Sequence, residues 1–142
     1  MTTLGEIESE QITVAQAEAI LRGYEAVFMR GDMEAILAGF SENVLVHFAD
    51  YPKFQGKAEL EKFLRARFAR QKNYRLKKTL RAINGTLIVN TFVGEWDDAV
   101  TKRKVEWRGS EFIRLERGLC VEWLAYANLW DQVSGPRPQF VQ

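Results

Sequence analysis

A long alternation of apolar and polar residues between Tyr74 and Trp130 is the feature that most constrains the fold of this chain. Branched and aromatic residues recur there at every second position, which is the period of a β-strand with one buried face. Short breaks that contain Gly, Asp or Asn divide the stretch into four segments, Tyr74–Ile83, Thr86–Trp96, Lys102–Leu115 and Leu119–Trp130. The pattern predicts four consecutive antiparallel strands in one sheet, which must twist and curl around a concave face because the strands are long.

The break at Asn84-Gly85 is the strongest turn signal in this stretch. Both central residues of a type I′ turn need positive φ, which Asn and Gly tolerate better than other residues. We therefore expect a type I′ hairpin at Asn84-Gly85, and further breaks at Trp96-Asp97-Asp98 and at Arg117-Gly118.

A helix is predicted ahead of the sheet, beginning at Thr13 and ending at Gly31. Thr13 and Gln16 have the spacing of a capping box, and Gly31 can adopt the positive φ that closes a helix. Apolar residues recur between them at intervals of three and four on one face, namely Val14, Ala17, Leu21, Tyr24 and Phe28.

Two further helices and a short strand complete the N-terminal half. Asp32 can cap a short second helix that runs through Phe40, and the segment from Asn43 to Ala49 alternates as a strand. A third helix, Lys57 to Arg70, carries an apolar stripe of Leu60, Phe63, Leu64 and Phe68. The predicted fold is α+β, with three N-terminal helices packed on a strongly bent antiparallel or mixed sheet whose concave face forms a cone.

The length of 142 residues predicts one domain, which can bury roughly 68–70% of the surface of its unfolded chain. Residues 1–12 are polar and acidic without periodicity, so we expect a flexible N-terminal arm. The folded domain is assigned to residues 13–133. Residues 134–142 include Pro136 and Pro138 and are expected to form a tail without helix or strand.

The charge balance gives no global argument for binding nucleic acid or a membrane, because 20 basic residues face 19 acidic ones. Basic residues crowd the region from Arg65 to Arg81, and we interpret them as a solvated rim that attracts anionic ligands or acidic partners rather than nucleic acid. No His, Cys or Asp cluster has metal-ligand spacing and no glycine pattern resembles a phosphate loop, so neither a metal nor a cofactor is predicted.

The single Cys120 cannot form an internal disulfide and is expected to be a small buried hydrophobic residue. The sequence has no signal peptide and no apolar run long enough to span a bilayer, so a reducing, cytoplasmic setting is expected.

Three polar residues that interrupt apolar stripes are the candidate catalytic residues, because burying a polar group without a partner is costly. Glu111 is the single acid on the predicted buried face of its strand, and we expect a raised pKa that keeps it protonated. His47, the only histidine, shares a strand face with Leu45 and Ala49, and Tyr24 lies in the apolar stripe of the first helix. Each also has a structural interpretation, since His47 and Tyr24 can be ordinary core residues and Glu111 can pair with an arginine of a neighbouring strand.

Five residues on the predicted inner face are expected to bind a ligand: Asn90, Phe92, Trp96, Trp107 and Trp123. The tryptophans among them can equally serve as core or as a dimer surface. The last strand is apolar on both faces, which indicates that both faces are covered, and a second subunit packed on the sheet is one such cover. A homodimer is therefore expected.

Several segments resemble the nuclear transport factor 2-like superfamily, which includes ketosteroid isomerases, SnoaL-type polyketide cyclases and limonene epoxide hydrolases. They are the corner Arg30-Gly31-Asp32, the segment Phe40-Ser41-Glu42-Asn43-Val44-Leu45-Val46-His47, and Gln55-Gly56-Lys57 ahead of a helix. Further segments are similar to a subgroup of small uncharacterised proteins of that fold, namely Tyr74-Arg75-Leu76-Lys77-Lys78, Gly94-Glu95-Trp96-Asp97-Asp98-Ala99, Gly109-Ser110-Glu111 and Gly118-Leu119. The resemblance implies a cone-shaped fold with an apolar pocket.

Similarity to the ketosteroid isomerases implies roles for the three candidates. His47 falls at the place of the base, Tyr24 at that of the oxyanion-binding tyrosine, and Glu111 at or next to the second, protonated acid. The base of that family is a carboxylate, whereas an imidazole is better suited to moving a water proton or to holding an anionic ligand.

Two functions follow as hypotheses. The first is a cofactor-independent isomerase, cyclase or hydrolase that acts on a small apolar carbonyl compound or epoxide. The second is a non-catalytic module that binds a small ligand or dimerises through its sheet.

Overall fold

The computed structural model describes residues 11–136, which form three helices and one six-stranded sheet. The helices are α1 (Val14–Arg30), α2 (Met33–Ala38) and α3 (Lys57–Arg70). The strands are β1 (Phe40–Phe48), β2 (Phe54–Gln55), β3 (Gln71–Asn84), β4 (Leu87–Asp98), β5 (Lys104–Glu116) and β6 (Leu119–Asp131). The predicted α+β fold is confirmed, while most of the predicted arm and tail lie outside the described residues.

The helix boundaries follow the predicted capping signals. The Thr13 hydroxyl accepts from the backbone N–H of Gln16 at 3.1 Å and the Gln16 side chain accepts from the Thr13 N–H at 2.9 Å, so the capping box is present. Gly31 ends α1 with φ at 63°. α2 is shorter than predicted, because Phe40 already belongs to β1. Val14 is 65% exposed, and Ala17 is the first residue of the stripe to reach the core.

The sheet has the strand order β2-β1-β6-β5-β4-β3, in which β1 and β6 are parallel and the other neighbouring strands are antiparallel. The sheet is therefore mixed. Apolar side chains of α1 and α3 pack with the inner face of the sheet in one buried core. The core therefore lies between these helices and the sheet.

The turn between β3 and β4 differs from the predicted type I′ turn at Asn84-Gly85. Asn84 pairs with Leu87, so the two loop residues are Gly85 and Thr86, and only Gly85 has positive φ. The two positive φ angles of a type I′ turn occur instead between β5 and β6, at Arg117 (50°) and Gly118 (80°).

The strand β4 also continues past the predicted break at Trp96-Asp97-Asp98. Asp98 closes this strand, because its carboxylate accepts the backbone N–H groups of Val100 at 3.2 Å and Thr101 at 2.8 Å. The same carboxylate accepts two hydrogen bonds from Arg70 at the end of α3, so it joins the turn to the helix layer.

A β-bulge in β6 places two residues on the inner face of the sheet that are separated by an odd number of positions along the strand. Leu115 pairs with Cys120 while Arg114 pairs with Glu122, so the register shifts by one residue at Val121. Both Cys120 and Trp123 are consequently buried, although strict alternation predicts opposite faces for them.

Candidate functional site

The interior of the cone contains one cavity with both aromatic and charged walls. Its free volume is about 20 Å³, which is room for little more than one water molecule. Aromatic rings supply most of the wall, and four polar side chains from four elements face the cavity: Tyr24 on α1, Arg67 on α3, Lys78 on β3 and Glu111 on β5. A ligand larger than water enters only if side chains move.

Glu111 lies at the centre of a buried hydrogen-bond network. Its Oε1 accepts from the Lys78 ammonium and, at 2.9 Å, from the Asn90 amide. Its Oε2 accepts from the indole N–H of Trp123 at 2.9 Å. The carboxyl is 2% exposed, so these donors rather than solvent determine its charge state.

The pKa of Glu111 differs from the expectation of a protonated acid. Burial alone would raise the pKa, but the Lys78 charge and the donors of Lys78, Asn90 and Trp123 outweigh it and bring the pKa below the usual carboxyl value. The group that faces the cavity is therefore a carboxylate. It can accept a hydrogen bond or a proton but does not donate one.

Side chains of α1 hold the backbone of Lys78 in place by hydrogen bonds. β3 is an edge strand, and the Glu25 carboxylate accepts the Lys78 backbone N–H at 2.6 Å while Arg22 donates to the Lys78 carbonyl oxygen. Glu25 in turn pairs with Arg22 at 2.9 Å. The helix therefore satisfies the free edge of the strand at the residue whose ammonium group reaches into the cavity.

The hydroxyl of Tyr24 faces the same cavity, and no hydrogen bond joins it to another part of the described chain. Burial raises its pKa well above the ordinary phenol value, and the nearby Cys120 and Glu111 add to the shift. The phenol therefore stays protonated and is free to donate to a ligand. Tyr24 and Glu111, two of the three candidate catalytic residues, line the same cavity.

His47 is not brought to this cavity. Val44, Val46 and Phe48 are the buried residues of β1, and His47 alternates with them on the outer face beside the exposed Leu45. The imidazole is therefore separated from Tyr24 and Glu111 by the sheet, because alternate side chains of a strand point to opposite faces.

The five predicted ligand-binding residues divide into two groups. Phe92, Trp107 and Trp123 line the cavity directly. Asn90 lies behind Glu111 as one of its donors, and Trp96 packs against Trp107 with ring centroids 4.9 Å apart while its N–H bonds to Asp98. Asn90 and Trp96 therefore support the wall rather than form it.

Two charged residues of the cavity, Lys78 and Arg67, differ from the expectation of a solvated basic rim. The sequence nevertheless contains a pattern that predicts burial for each of them. Lys78 lies two residues from both Leu76 and Leu80 on β3, so it shares their strand face. Arg67 follows Leu60, Phe63 and Leu64 at helical spacing on α3. Periodicity alone places both on the buried faces.

Residues 11–136 contain no cluster of three or more His, Cys, Asp or Glu side chains arranged to hold a metal ion. Within the same residues, no helix has the length and apolar character needed to cross a bilayer.

Comparison with solved structures shows what the fold is similar to. SalBIII, an epoxide hydrolase/cyclase-like enzyme of pyran ring formation in the polyether salinomycin, has a TM-score of 0.71 and 15% identity over 82% of this chain and 97% of its own. An LEH-like epoxide hydrolase from M. tuberculosis has a TM-score of 0.66 and 12% identity over 79% of this chain and 82% of its own. An NTF2-like protein of unknown function from Burkholderia pseudomallei has a TM-score of 0.69 and 19% identity over 79% of this chain and 90% of its own.

These identities are low and show a shared fold rather than a shared activity. A search of curated proteins finds no match to this chain. The SnoaL-like domain family matches residues 21–123, which include most of α1, all of α2 and α3, and the sheet as far as Trp123. The chain therefore belongs to the SnoaL-like domain family.

Proposed function

We propose that the protein is a cofactor-independent enzyme of the isomerase, cyclase or hydrolase kind, acting on a small apolar carbonyl compound or epoxide. The observation that carries this proposal is the buried Lys78–Glu111 ion pair in the wall of an aromatic cavity. Apolar residues of similar size are often as stabilising as a buried ion pair, or more so. Charged groups held in a cleft by desolvation and a specific partner are instead typical of catalytic sites.

The cavity residues divide naturally into an acceptor and two donors. Glu111 is the carboxylate that takes a proton from water, from a substrate hydroxyl or from a carbon next to a carbonyl. The Lys78 ammonium and the Tyr24 hydroxyl are the donors that stabilise the negative charge that develops on a carbonyl or epoxide oxygen. All three side chains face the same cavity, so one small substrate can contact them together once neighbouring side chains move to admit it.

The direct hydrogen bond between Lys78 and Glu111 would also restore the resting state. In an epoxide opening, Glu111 takes the proton of the attacking hydroxyl and Lys78 gives a proton to the oxygen released from the ring. A carboxylic acid and a neutral amine then stand in contact, and one proton transfer between them regenerates the ion pair. The cycle is balanced without any external acid, base or cofactor.

SalBIII and the LEH-like epoxide hydrolase share this fold, so the fold is compatible with this class of reaction. The test is turnover of a panel of small cyclic ketones, enones, epoxides and hydroxy-epoxides, followed by mass spectrometry and NMR. We expect Glu111→Gln to lower kcat at least about a hundredfold on any compound that is turned over. Glu122→Gln, which alters an exposed carboxylate on β6, is the matched control and should leave kcat unchanged. Unchanged turnover by Glu111→Gln would refute the proposed role.

The alternative is a non-catalytic module that binds a small ligand or dimerises. The small free volume of the cavity favours the dimerising module, as does the outer face of the sheet, where Val93 and Tyr126 are 55% and 53% exposed in one shallow groove. Sedimentation at micromolar concentration tests the dimer. A homodimer that Tyr126→Lys dissociates would support this interface, and a monomeric wild type would exclude it.

A further inference from the structure

Arg67 occupies an aromatic cage at the wall of the cavity. Its guanidinium carbon lies between 4.9 and 6.0 Å from the centroids of six rings, which belong to Phe28, Phe48, Phe63, Phe68, Tyr74 and Trp107. Cation–π attraction to these rings stabilises the charge. Among these rings only Tyr74 offers an acceptor oxygen, its hydroxyl, which interacts with Arg67. The faces of the other rings accept no hydrogen bond in line with the N–H groups, so part of the hydrogen-bonding capacity of the guanidinium is unused.

The hydrogen-bond partners of Arg67 are few. Its Nε and one Nη donate to the Gln71 side-chain oxygen at 3.3 and 3.2 Å. No carboxylate among residues 11–136 lies within 4.0 Å of the guanidinium. A guanidinium has five N–H donors in a planar fork that fits a carboxylate, so Arg67 has donors to spare.

The charges around the cavity do not balance. Lys78 and Arg67 contribute two positive charges to the wall and Glu111 contributes one negative charge, which is already bonded to Lys78. Arg67 is also partly exposed while it lines the cavity, so it lies where the interior approaches solvent. One positive charge without a counter-charge is costly in an apolar interior, and a monoanionic ligand would neutralise it.

We infer that Arg67 is a carboxylate-binding residue, so that the ligand of this cavity is a small aromatic or otherwise apolar acid. This inference rests on the proposed function, which places the ligand in this cavity, and it specifies the chemical class of that ligand. Once side chains move apart to admit the ligand, its carboxylate pairs with the free edge of the guanidinium and its apolar body lies against Phe48 and Trp107. The reacting end then points toward Lys78 and Glu111 deeper in the cavity.

Calorimetric titration of the wild-type protein at pH 7 tests the inference with matched pairs of probes. Benzoate, phenylacetate and cinnamate are compared with benzamide, phenylacetamide and cinnamamide, which have nearly the same shape without the charge. Because charge-assisted bonds to a guanidinium are stronger than neutral ones, we expect each acid to bind at least about tenfold more tightly than its amide. Equal affinity of acids and amides, or no measurable binding of either, would overturn the inference.

Variants on α3 assign the preference to one residue. Arg67→Gln should abolish the acid preference, and Arg67→Lys should retain part of it because the charge remains. Arg65→Gln is the matched control, since Arg65 lies on the same helix but is exposed and bonded to Glu61 at 2.8 Å. Thermal melting establishes that each variant is folded. Retention of the full acid preference in folded Arg67→Gln would refute the role of Arg67.

The inference and the proposed enzyme function can fail separately. Glu111→Gln removes the proposed catalytic acceptor but leaves Arg67 intact. Because it also leaves Lys78 buried without its partner, thermal melting must first show that the variant is folded, and the folded variant should still prefer acids over amides. Acid binding that depends on Arg67, without turnover of any compound, would uphold the inference and refute the enzyme. Turnover of neutral ketones or epoxides without acid preference would do the reverse.

Discussion

The ammonium group of Lys78 on β3 passes over the intervening strand β4 and bonds to the carboxylate of Glu111 on β5. Lys78 is paired with Phe92 on β4, and its Nζ lies 5.5 Å from the centroid of that ring. Asn90, two residues earlier on β4, is paired with Glu111 and donates to it. Three strands therefore hold one carboxylate, and this arrangement gives the cavity its only anion among the described residues.

Lys78→Met should destabilise the fold strongly. The variant leaves the Glu111 carboxylate buried with only the Asn90 and Trp123 donors, and breaking a buried pair in this way costs about 3–5 kcal/mol. The double variant Lys78→Met/Glu111→Leu should recover most of that loss, because no buried charge remains. Urea unfolding followed by far-UV circular dichroism measures both. As a control, Glu122→Gln in the exposed pair with Arg114 should cost less than about 1 kcal/mol. A small loss for Lys78→Met alone would contradict the buried pair.

Tyr24→Phe should separate ligand binding from stability. The Tyr24 hydroxyl has no partner in the described chain, so its removal should change the free energy of unfolding by less than about 1 kcal/mol. A ligand with a carbonyl or anionic oxygen should lose about tenfold in affinity, because it loses one hydrogen bond. Calorimetry with the best-bound probe gives the affinity. Unaltered affinity would show that the hydroxyl does not contact the ligand.

The stability of the protein should fall in acid partly through Asp98. Hydrogen bonds from Arg70, with further donors from Thr101 and Trp96, hold the pKa of this carboxyl well below its usual range. A depressed folded-state pKa contributes stability that is present above the unfolded-state pKa, about 4, and is lost as pH falls through the folded-state value.

Asp98→Asn should therefore destabilise the protein at pH 7 by about 1–3 kcal/mol, and the difference from wild type should shrink as pH falls toward 2. Denaturant unfolding at several pH values measures this difference. Asp97→Asn is the comparison: Asn73 and Lys104 also lower the pKa of Asp97, but the group is exposed, so its loss should be much smaller at every pH. A difference that does not depend on pH would contradict the low pKa of Asp98.

Cys120 should be nearly inert in the native protein. Burial raises the pKa of its thiol to about 12. At pH 8 the thiolate is then roughly a thousandfold scarcer than for a free cysteine, and the thiol is also screened from solvent. An aromatic disulfide reagent should therefore label Cys120 rapidly in urea but not in buffer. Rapid labelling of the folded protein would show that the cavity opens readily.

Replacement of His47 by Ala should leave the cavity unaffected. The imidazole lies on the outer face of β1, opposite the buried Val46 and Phe48. We expect the variant to keep the wild-type probe affinities, measured by the same titrations. A loss of affinity would instead support the role that similarity to the ketosteroid isomerases implies for this histidine.

The fold was predictable because its signals are local and periodic. The capping box at Thr13, the glycine at Gly31 and the alternation along β3 to β6 each specify an element without knowledge of the rest. The turn at Gly85 was harder, because the register of two strands decides which residues occupy the turn. The bulge at Val121 was equally hidden from the sequence, since it arises from how β6 meets both β5 and β1.

The site was predictable only in part. Glu111 and Tyr24 stand out as polar residues in apolar stripes, so their burial follows from periodicity. The pKa of Glu111 depends on Lys78, which lies 33 residues away along the chain, and a carboxyl without a known partner is expected to be protonated. Arg67 and Lys78 were expected in a solvated rim because they are charged, although their spacing in the sequence places them on buried faces. The aromatic cage that accommodates Arg67 comes from both long helices and three strands, and no local pattern reveals it.

The most direct test of the account is an NMR titration of the Glu111 side-chain carboxyl carbon, recorded in the free protein and in the presence of phenol and benzoate. We predict a carboxylate throughout the neutral range, because Lys78, Asn90 and Trp123 stabilise the charged form and lower the pKa, together with a shift of the Glu111 resonance when either compound binds. A carboxyl that is protonated near neutrality, or a resonance that no ligand shifts, would contradict the claim that the Lys78–Glu111 pair is the reactive element of a ligand-binding cavity.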